Sequence, residues 1–306
     1  LNLYHAPPSG VFMKISKFFI DLFLIIAIGL TWGASFMFTK IAAPVVGPID
    51  LVTSRLLIAA AFLAPIFLRK HHFKGFRDHI RPLIIFGIFN ATLPFFLFAY
   101  AALTINAGTL SVMNATSPLF AFVISILWLR FSFSWIQLVG LIVGSIGLII
   151  FIGYESLQFS WLPIACCLMG AFMYAACANY LYKLNHLDPA YLATMTLIVG
   201  TFMFMPFSYY EGGISFDLSK QVWVSILLLG FLCTGLAYVA FVILIRRMGP
   251  VGASSVLFIV PVAGMAWANI FLNESITTSM LSGCFLILLG VGMTNFFGPE
   301  LNEDKL

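Results

Sequence analysis

The feature that most constrains this sequence is a series of ten long apolar stretches with almost no charge inside them. A bilayer core of about 30 Å needs about 20 apolar residues per helical crossing. The stretches predict ten transmembrane helices, at residues 18–40, 48–68, 82–103, 106–128, 135–153, 160–182, 189–210, 221–245, 250–272 and 276–297. With 62% apolar and 8% charged residues, the composition excludes a soluble domain and indicates an all-α membrane protein.

The lysine and arginine residues predict the orientation. With the N-terminus in the cytoplasm, ten crossings place twelve of them inside and one, Lys220, outside, as the positive-inside rule expects. The twelve are Lys14, Lys17, Arg69, Lys70, Lys74, Arg77, Arg81, Arg130, Lys183, Arg246, Arg247 and Lys305. We therefore expect two cytoplasmic terminal segments, at 1–17 and 298–306, and a bacterial cytoplasmic membrane. Because topology accounts for the net charge of +4, no nucleic-acid partner is expected.

The chain contains an internal repeat. A shift of 143 residues gives seven identities over residues 107–148, among them Ser111 with Ser254 and Pro118 with Pro261. A shift of 141 residues aligns the earlier part, including Thr53 with Thr194. Each copy holds five predicted helices, so the copies at 18–153 and 160–297 face opposite ways across the bilayer. Inverted repeats of this kind are typical of secondary transporters, whose substrate site lies near the midplane between the halves.

The motifs in these repeats resemble the drug/metabolite transporter superfamily, whose repeat is called the EamA domain. The resemblance is carried by Trp32-Gly33-Ala34-Ser35 with Lys40, by Arg55-Leu56-Leu57, and by Gly249-Pro250 through Pro261 to Leu272-Asn273-Glu274. It implies a ten-helix carrier, often an exporter of amino acids or related metabolites. The first copy departs from the family pattern, because Phe131 stands where Glu274 stands in the second copy.

Lys40 and Arg55 are the two basic residues inside predicted helices, and both lie toward the outer third. A charge at the centre of a membrane helix costs about 2.5–3.5 kcal/mol on insertion scales, so both are candidate functional groups. One hypothesis is a gate, or an attractor for a substrate carboxylate or phosphate. The alternative is structural: Arg55 binds the C-terminal carbonyls of the first helix while Lys40 extends outward.

Polar and aromatic residues in the middle of helices are the candidates for the substrate cavity. They are Trp32, Asn90, Pro94, Ser111, Asn114, Pro118, Tyr174, Asn179, Tyr238, Ser254, Pro261 and Trp267. Polar side chains avoid lipid, so these faces are expected to line a cavity between helices 1, 3, 4, 6, 8 and 9, or to bond neighbouring helices. The candidates are uncharged and aromatic, which fits an amphipathic or zwitterionic small molecule.

Helices 5 and 10 differ from the others because their small residues form stripes without polar groups. Gly140, Gly144 and Gly147 lie on helix 5, and Gly283 and Gly290 lie on helix 10. Close helix packing is the expected role of such stripes. The alternative is that they face a second copy of the chain in a homodimer.

The sequence favours a transporter of a small metabolite, working as an exporter or exchanger, over two alternatives. An intramembrane enzyme needs a catalytic set at membrane depth, and every histidine lies outside the predicted helices. A non-transporting membrane assembly protein has no evident need of an inverted repeat. No cofactor and no metal site are expected, because no cysteine or histidine cluster has ligand spacing. A buried acid is missing as well, so we expect transport without an obligatory proton.

Overall fold

The computed structural model describes residues 9–69, 76–159, 161–182, 189–213 and 217–296. Some of the residues used in the predictions lie outside this described part of the chain. They are Lys70, Lys74, Lys183, Lys305, the segment 298–306, and the histidines His5, His71, His72 and His186.

Ten helical crossings, α1–α10, follow one another in the described residues. Their bounds are Ser9–Val46 (α1), Pro48–Arg69 (α2), Phe76–Phe86 with Gly87–Thr92 and Leu93–Ala101 (α3), Ala107–Asn114 with Ser117–Leu129 (α4), Trp135–Phe159 (α5), Trp161–Tyr182 (α6), Pro189–Tyr210 (α7), Lys220–Leu227 with Leu228–Leu236 and Ala237–Ala253 (α8), Val256–Leu272 (α9) and Thr278–Phe296 (α10). Within those residues, nine helices are long and apolar enough to cross a bilayer, and α9 is shorter, at 17 residues. The all-α, ten-helix prediction is confirmed.

The observed bounds differ from the predicted ones mainly at α1. This helix begins at Ser9, before the predicted residue 18, and continues past residue 40 to Val46. Hydropathy alone misplaced both ends, because a helix continues through flanking polar residues and through Pro44 as long as its backbone bonds are made. Positive φ angles at Gly153 and Gly249 break the helical path near the ends of α5 and α8.

Both repeats carry the same local irregularities. A π-helical segment interrupts α3 at Gly87–Thr92 and α8 at Leu228–Leu236. In each, a threonine hydroxyl donates to the carbonyl five residues earlier, at 2.6 Å for Thr92 and 2.8 Å for Thr234. The left-handed C-caps Arg130 and Asn273 are likewise related by the 143-residue shift. The inverted repeat is therefore visible in the backbone itself.

Most helix packing is between the two repeats. α1 packs against α8 and α9, α2 against α7 and α8, α3 against α6 and α7, and α4 against α6 and α9. The packing of α2 on α8 matches that of α7 on α3: a methyl group added at Gly230 would lie 2.6 Å from Ile58 Cβ, and one at Gly87 would lie 2.7 Å from Val199 Cγ1. These crossings hold the two five-helix units around a shared centre.

α5 and α10 pack against each other through their glycines. A methyl group added at Gly290 would lie 2.5 Å from the carbonyl oxygen of Gly140, and one at Gly147 would lie 2.7 Å from the backbone nitrogen of Ile287. This agrees with the expected close packing. The two stripes therefore occupy each other within one chain, and a homodimer through these helices stays a prediction.

We predict that Gly290→Ala lowers the thermal stability of the purified protein, while Gly292→Ala does not. The first methyl group meets rigid backbone atoms on α5, whereas the nearest atom to the second is 3.8 Å away on Phe258. Overpacking of this kind costs about 1–3 kcal/mol. Equal unfolding temperatures for the two variants in detergent would contradict this account of the α5–α10 contact.

A second prediction concerns two matched loops. Ser132 and Ser275 are repeat-related and exposed. In a background without the five native cysteines, Ser275→Cys should react with an impermeant thiol reagent added to cells, and Ser132→Cys should react only after permeabilisation. Labelling of both from one side would contradict the inverted repeat, and the reverse pattern would contradict the orientation expected from the basic residues.

Candidate substrate-binding site

A cavity of about 360 Å³ lies between the two repeats. Its described wall comes from α1, α2, α3, α4, α6, α7, α8 and α9, while α5 and α10 contribute none of these residues. The polar members are Ser35, Thr39, Arg55, Asn90, Asn114, Ser117 and Thr196, and the aromatic members are Trp32, Phe36, Phe86, Phe95, Phe98, Tyr174, Tyr238 and Phe241. The wall therefore combines a large apolar area with a few polar groups, as small-molecule sites do.

The structure brings six of the fourteen sequence-predicted residues to this wall. They are Trp32, Arg55, Asn90, Asn114, Tyr174 and Tyr238. The other eight, which are Lys40, Pro94, Ser111, Pro118, Asn179, Ser254, Pro261 and Trp267, are not among the residues that line it.

Three of these eight residues bond neighbouring helices. Ser111 Oγ donates to the carbonyl of Gly108 at 2.7 Å and approaches the carbonyl of Pro261, on α9, at 3.4 Å. Asn179 Nδ2 donates to the carbonyl of Ala121 on α4 at 3.0 Å. Trp267 Nε1 donates to a carbonyl on α1, that of Leu30, at 3.0 Å. These side chains join α4 to α9, α6 to α4 and α9 to α1.

The prolines and Ser254 occupy structural positions. Pro94 is buried near the start of the α-helical segment that follows the π-helical turn of α3, and Pro118 is buried near the start of the second segment of α4. A proline lacks the backbone N–H, so it is tolerated where a helix begins. Ser254 is partly buried between α8 and α9.

Arg55 lies in the cavity and not against the end of α1. Its Nε donates to Thr234 Oγ1 on α8 at 2.7 Å, and its Cζ lies 3.7 Å from the centroid of the Phe95 ring on α3. The structural alternative, in which Arg55 binds the carbonyls of α1, is therefore wrong. Within the described residues, neither terminal guanidinium nitrogen has a hydrogen-bond acceptor from the protein, so both remain available to a bound molecule.

Aromatic side chains from several helices line the same cavity as this guanidinium. Trp32 packs edge-on against Tyr238, with ring centroids 6.4 Å apart, and lies 5.0 Å from Phe241. Phe98 stacks on Tyr174 at 6.3 Å. Pairs of this geometry hold the rings in fixed positions. We call these rings of Trp32, Phe98, Tyr174, Tyr238 and Phe241 the aromatic cage; the cavity wall that they help to form carries one positive charge, that of Arg55.

Sequence reasoning missed the contributions of α2 and α7. Leu192, Ala193 and Thr196 bring α7 to the wall, and the predicted cavity did not include this helix. The signal was present in the repeat, because the 141-residue shift that aligns Thr53 with Thr194 also places Thr196 at the position of Arg55. Thr196 was therefore a candidate for the cavity wall, because it is repeat-related to an intramembrane arginine.

Polar contacts join the two repeats at the end of the bundle that carries the loop between α9 and α10. The carboxylate of Glu274 accepts hydrogen bonds from the backbone nitrogens of Ala107, at 2.8 Å, and Gly108, at 3.1 Å. It also interacts electrostatically with Lys40, whose Nζ donates to the carbonyl of Ala102 at 2.8 Å. Glu274 therefore caps α4 of the other repeat.

At the opposite end, an ion pair joins the two repeats. Arg247 on α8 binds the buried carboxylate of Asp21 on α1. The cavity extends toward this end, since its wall includes Leu192, within one turn of the start of α7, and Ile245, two residues before Arg247. One polar contact between the two repeats lies at each end of the bundle.

Comparison with known proteins identifies the family. The EamA-like transporter family matches residues 19–153 and again residues 161–296. The chain belongs to this family. The double match agrees with the ten-helix permeases of the drug/metabolite transporter superfamily, and the chain is a transporter of that type.

Relatives of similar length are also named as transporters. An uncharacterized transporter of Bacillus subtilis (strain 168) is 27% identical over 278 residues, covering 89% of this chain and 95% of the relative. A probable amino-acid metabolite efflux pump of Salmonella typhimurium is 25% identical over 297 residues, covering 91% and 95%. A protein of known crystal structure has a TM-score of 0.65 at 14% identity, covers 94% of this chain and 99% of its own, and shows the same fold.

We predict that Thr234→Val destabilises the protein more than Thr92→Val. Both changes remove a hydroxyl bonded five residues back in a π-helical turn, but Thr234 also accepts from Arg55. A hydrogen bond to a charged group contributes about 1.5–3 kcal/mol. In an Arg55→Leu background, the excess effect of Thr234→Val on unfolding in detergent should disappear. An unchanged difference would show that the two residues are not coupled.

Proposed function

We propose that this protein is a secondary transporter of small carboxylates, such as amino acids or related amphipathic metabolites, and that Arg55 binds the carboxylate. One observation carries the proposal: Arg55 is the one charged side chain among the described residues of the cavity wall. Desolvating a guanidinium is costly unless the charge is compensated, so a site that retains it requires an anion at some stage of its cycle.

The geometry of Arg55 suits a carboxylate. Thr234 holds Nε and the Phe95 ring lies against the planar group, which leaves the two terminal nitrogens to form parallel bonds to one carboxylate. A single positive charge neutralises a carboxylate, whereas a phosphate ester with close to two negative charges would retain net charge in an apolar cage. This favours a carboxylate over a phosphate.

The aromatic cage suits the rest of such a molecule. Trp32, Tyr174 and Tyr238 offer apolar surface to a side chain and ring faces to an ammonium group. A Salmonella typhimurium relative named as a probable amino-acid metabolite efflux pump supports the same chemical class. An exporter or exchanger is the direction that this name favours.

Alternating access follows from the two closing contacts. Glu274 closes the end that the basic residues predict to be outside, and the Asp21–Arg247 pair closes the predicted cytoplasmic end. Transport requires that the two contacts open in turn around the same cavity. The proposal includes both termini in the cytoplasm of a bacterial inner membrane, supported by the distribution of lysine and arginine.

A carrier accounts for these features better than the other classes considered. An intramembrane enzyme and a non-transporting assembly protein are both disfavoured, because relatives that align along almost the entire chain are named as transporters. The proposal assigns no catalytic residue and no second protein subunit.

The test is uptake into proteoliposomes of labelled amino acids, other carboxylates and their carboxamide counterparts. Arg55→Gln should weaken carboxylate transport by about tenfold to hundredfold, because a charge-assisted hydrogen bond contributes about 1.5–3 kcal/mol. Arg55→Lys keeps the charge but loses the two parallel bonds, so it should recover part of the affinity.

The carboxamides are the control, because they lack the negative charge that Arg55 would bind, so neither substitution should weaken their transport. Equal losses for acids and amides would reduce Arg55 to a packing role. Arg55-dependent transport of phosphate esters in place of carboxylates would overturn the substrate class.

A further inference from the structure

The buried hydroxyl of Thr196 has no hydrogen-bond partner within the described residues. The residue is 1% exposed and lies on the cavity wall. Buried polar atoms in folded proteins are almost always hydrogen-bonded, and those that are not call for an explanation. Other threonines of α7 do not share this state: Thr201 donates to the carbonyl of Leu197 at 2.8 Å.

Thr196 is the counterpart of Arg55 in the second repeat. A methyl group added at Gly230 would lie 3.2 Å from the carbonyl oxygen of Arg55, and one at Gly87 would lie 3.4 Å from that of Thr196. Each residue thus lies where a helix of its own repeat meets a π-helical turn of the other repeat. The cavity wall therefore has two repeat-related positions, which we call the charged pole (Arg55) and the neutral pole (Thr196).

Asn90 adds a second polar group to the neutral pole. It belongs to the π-helical turn Gly87–Thr92, which packs on α7, and it lines the same cavity. No hydrogen bond from its amide to another described residue is present. Irregular π-helical turns frequently occur at functional sites. Two groups that can each donate and accept hydrogen bonds therefore lie at this pole without a partner among the described residues.

We propose that Thr196 and Asn90 form a second polar subsite, which binds an uncharged hydrogen-bonding group, such as a hydroxyl or carboxamide, of the transported carboxylate. The proposal rests on the carboxylate transport proposed above. We assign an uncharged group to this subsite because an ammonium group is already placed on the aromatic ring faces, and the described cavity wall offers no acidic side chain to pair with it here. The substrate is then bifunctional, with its carboxylate at Arg55 and its neutral group at Thr196.

The test uses three pairs of amino acids whose members share a carboxylate and differ in one neutral hydrogen-bonding group. The pairs are L-threonine with L-valine, L-glutamine with L-norleucine, and L-tyrosine with L-phenylalanine. The neutral hydrogen-bonding group lies at a different distance from the carboxylate in each pair. The pair whose members bind with different affinity therefore gives an estimate of the distance between Arg55 and Thr196. Affinities are measured by calorimetry on the purified full chain and by competition in proteoliposomes.

In the unaltered protein, the hydrogen-bonding member of at least one pair should bind roughly tenfold more tightly, because its apolar partner leaves both protein groups unpaired. Thr196→Val should abolish this preference without reducing thermal stability, since it removes a hydroxyl that has no protein partner. Thr196→Ser should retain the preference. Thr201→Val, on the same helix but away from the cavity wall, should leave it unchanged.

Lack of discrimination in every pair, or a preference that survives Thr196→Val, would overturn the second subsite. So would an equal effect of Thr196→Val on both members of the discriminated pair.

Arg55→Gln separates the two proposals, because it should weaken the binding of both members of a pair alike. If it weakens neither, the carboxylate anchor is wrong while selectivity at Thr196 stands. If none of the six amino acids binds, amino acids are not substrates of this carrier, and the second subsite is overturned with them.

Discussion

A guanidinium held inside an apolar bundle is the interaction on which the rest of the site depends. Arg55 is kept in place by Thr234 of the other repeat and by the ring of Phe95. Neither contact neutralises the charge, since a hydroxyl and a ring face supply only partial compensation. Among the residues that the structure describes, the charge is therefore fixed in position but not paired with an anion, which suits the anion binding proposed above.

The inverted repeat explains why this charge lies on one side of the cavity. The two halves pack on each other through equivalent helices, so every position near the centre occurs twice with opposite orientation. Where the first repeat has Arg55 and Asn114, the second has Thr196 and Leu257, and all four line the cavity. The two repeats share backbone features, whereas the side chains at equivalent positions differ. A molecule bound there, as proposed above, would meet different groups from each repeat, which favours one orientation.

The sequence predicted the ten helices and their duplication because hydropathy and repeat spacing are local signals that a bilayer makes obligatory. It also placed Arg55, Asn90 and Tyr238 among the candidates, since polar groups inside apolar helices are conspicuous. It could not separate Asn90, on the cavity wall, from Asn179, which bonds Ala121, because which face of a helix meets a neighbour depends on packing across the whole bundle. It missed Thr196 because a threonine in an apolar helix is unremarkable until its hydroxyl is found without a partner.

The loops and contacts at the two ends of the bundle also share backbone features but differ in their side chains. Arg130 and Asn273 are left-handed C-caps in equivalent loops, yet the next residue is Phe131 in one loop and Glu274 in the other. Only the second loop can cap a helix of the opposite repeat with a carboxylate. The other end is closed by Asp21 and Arg247, from α1 and α8. Because the two contacts use different bonds, breaking them need not cost the same free energy, and in the transport cycle proposed above such a difference would set which face of the membrane the empty cavity prefers.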